Sequence, residues 1–116
     1  MAVTNELPIF LDSYELLSQL TVLIPRIPRV YRFSLGSRMM DDCLNMIWHI
    51  RRANSAYGQD KLPAINLILD DHGQLEMLFR LLFEQRVITS KQYAPYMLLL
   101  TKIGKQANGW KKHYST

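Results

Sequence analysis

The chain has 116 residues, 48% of them hydrophobic, with 14 Lys and Arg against 10 Asp and Glu for a formal net charge of +4. That length suits one domain over residues 1–116, able to bury roughly two thirds of the surface its unfolded form exposes. The single cysteine, Cys43, excludes an internal disulfide, argues against a cysteine-built zinc site and points to a reducing, cytoplasmic setting, while no opening leader pattern and no apolar run of membrane-spanning length is present.

The first expected helix covers residues 6–24, with Phe10, Tyr14, Leu17, Leu20 and Ile24 at three- and four-residue steps. Pro8 suits its first turn, and Pro25 is expected to end it by pushing Ile24 out of helical conformation. A second helix is expected over 28–55, opened by Pro28, with Phe33, Met40, Leu44, Ile47 and Ile50 inward and Met39, Cys43 and Met46 widening that face. Gly36 inside it costs on the order of 1 kcal/mol relative to alanine, which suggests close packing.

Asn54 to Asp60 reads as a loop, with Asp60 capping a third helix over 61–86 and Pro63 in its first turn. Leu62, Ile65, Leu69, His72, Leu75, Phe79 and Leu82 trace its apolar face, interrupted by Gly73, and the two glycines suggest tight contact between the second and third helices. Thr89 and Gln92 fit a capping box at the start of a fourth helix over 90–114, which carries Tyr93, Tyr96, Leu100, Ile103, Ala107, Trp110 and Tyr114 on one face. Pro95 falls just past its first turn. Four amphipathic segments on short connections, without strand-like alternation, predict an all-α, antiparallel up-down-up-down four-helix bundle.

Charge is segregated along this bundle. From Ile24 to Met40 there are four arginines and no acid, and from Arg86 onward every charged side chain is basic. The expected topology gathers Arg26, Arg29, Arg32, Arg86 and Lys91 at one end and Arg51, Arg52, Lys61, Lys111 and Lys112 at the other. Lys102, Lys105 and Lys112 share one face of the last helix.

Reactive chemistry has little to stand on. His72, with Glu76 one turn on, reads as a core histidine with a satisfied hydrogen bond, and His49 and His113 as solvated. No Glu-x-x-His pair occurs, and the adjacent acids Asp41-Asp42 and Asp70-Asp71 diverge on a helix instead of converging on one ion. Cys43 lies in an apolar stretch, which suits buried packing and not a nucleophile. Neither type of phosphate-cradling glycine loop is present. The expectation is therefore no catalytic residue, no cofactor and no metal. Tyr31 and Phe33, interleaved with Arg29 and Arg32, could stack on unpaired bases, although Phe33 is expected to face the core.

Three stretches together carry a family likeness: I-P-R-V-Y-R-F-S-L-G from Ile27, V-I-T-S-K-Q-Y from Val87 and I-G-K-Q-A-N-G-W from Ile103. They resemble the accessory variability (Avd) proteins of diversity-generating retroelements and the related four-helix-bundle proteins encoded in ribosomal RNA intervening sequences. The match is closer to Avd, because M-M-D-D-C-L-N-M-I-W-H-I-R-R-A-N stands where the intervening-sequence branch carries R-R-A-A-x-S-I-P-x-N-I-x-E-G. The resemblance implies a homopentameric ring that is no enzyme, works without a membrane, and partners the retroelement reverse transcriptase and its template RNA in mutagenic cDNA synthesis. Arg26, Arg29, Arg32, Arg38, Arg51, Arg52, Lys61, Lys102, Lys105, Lys111 and Lys112 are the expected contacts to RNA phosphates or to the enzyme. The alternative is a purely structural homo-oligomer of the intervening-sequence type.

Overall fold

Each of the four long segments folds as a helix, and the ends of those helices show which local signals governed. In the computed structural model, which describes residues 3–115, α1 spans Pro8–Leu23, α2 Ser37–Ser55, α3 Leu62–Glu84 and α4 Ser90–Tyr114. There is no strand among the described residues. Pro8 takes the first turn of α1 and Pro63 that of α3, where a missing N–H costs nothing. Thr89 caps α4 as expected: its hydroxyl accepts from the Gln92 amide (3.1 Å) and its own amide donates to the Gln92 side chain (2.8 Å). Asp60 does not cap α3; it lies inside a 3-10 turn, Gly58–Lys61, that leads into the helix.

The proline corner departs from expectation. Ile24 keeps helical angles (φ −58°, ψ −44°) before Pro25, and the chain continues through a 3-10 turn, Ile24–Arg26. The break comes three residues later, where Ile27 is extended (φ −83°, ψ 158°) ahead of Pro28. One helical turn, Arg29–Tyr31, then passes into a π-helical turn, Arg32–Gly36, before α2 begins. That turn rotates Phe33 outward, leaving it 69% exposed instead of in the core.

α1 packs against α2 and α4, α2 against α3, and α3 against α4. Cross-helix pairs run in opposite order along successive helices: Thr4 meets Asn54 and Ser13 meets Cys43, while Phe83 stacks on Tyr93 and Phe79 on Tyr96. The molecule is a rod of 44 × 21 × 19 Å, so its ends are well separated surfaces.

The core contains Leu16, Leu20, Met39, Met46, Ile50, Ile65, Leu75, Phe79, Leu100 and Ile103, all fully enclosed. In α1 the inward face is Ile9, Ser13, Leu16, Leu20 and Leu23, whereas Tyr14 is 58% exposed. This corrects the expected face, because adjacent apolar residues at Ile9-Phe10, Leu16-Leu17 and Val22-Leu23 let the periodicity of α1 take more than one phase. Leu44 of α2 is likewise exposed.

The glycine expectations divide. A Cβ on Gly36 would lie 3.0 Å from Ile24 Cγ2, so that glycine fits the corner against α2 and not α3 against α2. Gly73 has open space around it. The tight approach is at Gly104 of α4, where a Cβ would stand 2.9 Å from the His72 ring.

Candidate nucleic-acid interface

Both ends of the rod are built around helix termini, whose last carbonyls lack intrahelical partners. At the corner, Arg32 folds back and its Nη2 donates to Pro25 O (2.9 Å) and Ile27 O (3.3 Å). Its Nε is buried without a partner. Arg32 thus closes the chain after α1 and has only part of its guanidinium left to offer. Arg29 instead lies over the exposed Phe33 ring, 5.7 Å from its centroid. Arg26 is exposed at the same end; its charge opposes the burial that pushes the Tyr96 phenol up, which places it beside the start of α4.

At the opposite end, Lys61 is 9% exposed. Its Nζ donates to Ala53 O (2.9 Å), Asn54 O (3.3 Å) and Ala56 O (2.6 Å), the carbonyls that end α2. The same ammonium lies 5.8 Å from the Trp110 ring centroid and 5.6 Å from that of Tyr114. Burial pulls the Lys61 pKa down, yet three carbonyls and two ring faces hold the cation. Lys61 is therefore an internal clamp and presents no free donor to a ligand, which corrects its expected place among the surface contacts. Around it, Arg51 lies over Trp48 at 5.7 Å, and Arg52, Lys111 and Lys112 are exposed.

Along the sides, Arg38 pairs with Asp42 (3.4 Å) and donates to Gln74 (3.1 Å), and Lys102 pairs with Asp12 (3.4 Å). Lys105 is exposed. Among the described residues, Arg26, Arg29, Arg51, Arg52, Lys105, Lys111 and Lys112 have no carboxylate partner. Arg32 and Lys61 also lack a carboxylate but spend donors on backbone carbonyls, so seven of the eleven expected contact residues keep both charge and donors free of such partners, most of them toward the two ends.

His49, His72, Asp42 and Asp71 are enclosed between helices, whereas His113 is exposed as expected. His72 is buried with Nε2 2.6 Å from Leu100 O and Nδ1 3.4 Å from Glu76, the satisfied core histidine expected. His49 is not solvated: its Nδ1 is 2.6 Å from Asp71 Oδ2, and both side chains are largely enclosed between α2 and α3. Desolvation pushes the Asp71 carboxyl up against the opposing pull of His49, and pushes Asp42 up against that of Arg38. Cys43 is fully buried and its thiol is pushed up to about 12 by burial and by Asp42, which makes it inert as a nucleophile. Among the described residues no three His, Cys, Asp or Glu side chains gather as a metal site, and no helix is long and apolar enough to cross a membrane.

Sequence reasoning missed three features. The His49–Asp71 pair depends on the relative rotation of two helices. The enclosure of Lys61 had a weak signal, a lysine placed just beyond a helix C-terminus. The exposed Trp48 had its signal in the periodicity, since it lies opposite the Met46–Ile50 face.

These features define a small all-α four-helix protein with cationic ends and no assembled reactive centre among its described residues. A family model described as bAvd-like matches residues 10–114. The chain belongs to that family and is, at family level, an Avd-type accessory protein. Searches of curated proteins and of solved structures returned no match.

Proposed function

We propose that this chain is the non-catalytic accessory subunit of a diversity-generating retroelement, binding the reverse transcriptase and its template RNA in the cytoplasm as an oligomeric ring, with five subunits the expected number. The observation that carries this reading is the bAvd-like match across residues 10–114. The unpaired cations at both ends support it: phosphate contacts need exposed Arg and Lys whose charge is not already neutralised. Exposed apolar residues such as Leu11, Tyr14 and Leu44 favour burial between subunits. An array of basic subunits would also steer a polyanion that one subunit holds weakly.

A retention assay with structured RNA over a salt series tests the nucleic-acid half of this reading. Affinity that falls steeply with salt, and falls further when Arg29 and Arg52 are reversed to Glu in a folded protein, is the expected result. Salt-independent or absent retention would favour the structural oligomer, for which the same exposed apolar face is sufficient. Co-purification with the reverse transcriptase tests the other half, and the mass in solution tests the ring, with a stable monomer counting against it.

A further inference from the structure

Two clefts adjoin at the end of the rod where α2 gives way to α3. The larger, about 540 Å³, has Trp110, Tyr114 and Tyr57 among its walls, together with Lys61, Leu7 and Pro8. The smaller, about 380 Å³, is formed by Trp48, Arg51, Arg52 and Ser55, and Ala56 lines both. Among the described residues no Asp or Glu lines either cleft. The nearest along the chain, Glu6 and Asp60, sit in the flanking 3-10 turns and are exposed. A third cleft, at the α3–α4 turn, contrasts with these: it includes Glu84, and its one aromatic wall, Phe83, already stacks on Tyr93.

The joined clefts combine ring surfaces with guanidinium donors. Tyr57 is 77% exposed and Trp48 55% exposed, so both leave ring area open, with Arg51 over part of the Trp48 ring. Lys61 adds positive field, but its donors are taken by carbonyls, leaving Arg51 and Arg52 as the groups able to bind an anion. Lys111 and Lys112 flank Trp110 in the last turns of α4. Aromatic faces beside unpaired arginines match the chemistry of unstacked bases and their phosphates; a duplex keeps its base faces covered.

We infer that this end is a single-stranded nucleic-acid site, in which an unpaired base enters the Trp110 and Tyr114 cleft while Arg51 and Arg52 hold adjoining phosphates. The inference rests on the nucleic-acid reading above and adds to it the form of the ligand and the place where it is held. It places recognition at the end opposite Arg26, Arg29 and Arg32.

The chain has two tryptophans, so the Trp48→Phe protein reports from Trp110 alone. It is titrated at low salt with an oligoadenylate of roughly a dozen nucleotides and with a duplex of equal length. The expected result is that the single strand quenches Trp110 emission in step with binding measured by anisotropy, whereas duplex binding leaves the emission unchanged. Trp110→Leu, shown to be folded by circular dichroism, should weaken single-strand binding about tenfold without altering duplex binding. If Trp110→Leu does not fold, the emission titration decides the matter alone. Single-strand binding with unchanged Trp110 emission overturns the site and leaves RNA binding standing, whereas failure of the unsubstituted protein to bind either nucleic acid, read by anisotropy, overturns both. Equal quenching by polyglutamate overturns the assignment in favour of an acidic protein segment.

Discussion

The two ends of the rod solve the same problem with different cations. At each, a helix finishes and a basic side chain from a few residues downstream turns back onto its loose carbonyls: Arg32 onto Pro25 and Ile27, Lys61 onto Ala53, Asn54 and Ala56. Arg32 remains half-buried with an unpartnered Nε. Lys61 is enclosed, uses its three donors, and is roofed by two aromatic rings. The difference teaches that a basic cluster in sequence mixes structural clamps with free charges. Only the geometry of the carbonyls separates them.

Breaking the stronger clamp has the largest expected effect. Lys61→Met keeps the stem length but removes the three ammonium hydrogen bonds to the carbonyls at the end of α2, and should cost about 3 kcal/mol by urea denaturation. Between the ends, Gly104→Ala sets a scale for pure packing. Its Cβ would stand 2.9 Å from the His72 ring and must displace a side chain held by Leu100 O, for an expected loss of about 2 kcal/mol. Gly73→Ala, with open space around it, should move the other way by nearly 1 kcal/mol. If both glycine variants destabilise alike, the close approach of α4 to His72 is wrong.

The weaker clamp should yield less. Arg32→Met removes two carbonyl contacts but also frees the chain of a buried, unpartnered Nε, so a loss of about 1 kcal/mol is expected. A loss equal to that of Lys61→Met would erase the contrast between the ends. An effect of similar size but opposite sign is expected at the α3–α4 turn. There Val87 donates to Leu82 O and Arg86 to Phe83 O, the two bonds of a Schellman stop, but the left-handed position is held by Arg86 at φ 60°. Arg86→Gly should raise stability by about 1 kcal/mol in the same denaturation assay.

What could be read in the chain depended on how local its cause was. The Thr89 and Gln92 cap was legible because donor and acceptor lie three residues apart, and the α4 face was legible because its polar side is unambiguous. Pro25 misled because the chain carries it inside a 3-10 turn with Ile24 still helical, so the stop fell to Pro28. Phe33 misled because a π-turn adds a residue that no helical period anticipates. In α1, Leu16 and Tyr14 offered nearly equivalent faces, and only the shape of the neighbouring helices selected Leu16.

The same limit holds for the candidate site. Sequence by itself determined the helical class, the family stretches and the segregation of charge, since each is a property of spacing or composition within one segment. Tertiary structure alone decided which cations stay free. Lys61 and Arg51 are indistinguishable as letters; one meets the carbonyls ending α2 and is consumed, while the other meets Trp48 at the surface. Trp110, Tyr114, Tyr57 and Trp48 come from three parts of the chain, and they meet at two adjoining clefts because packing of α1, α2 and α4 brings those parts to one end.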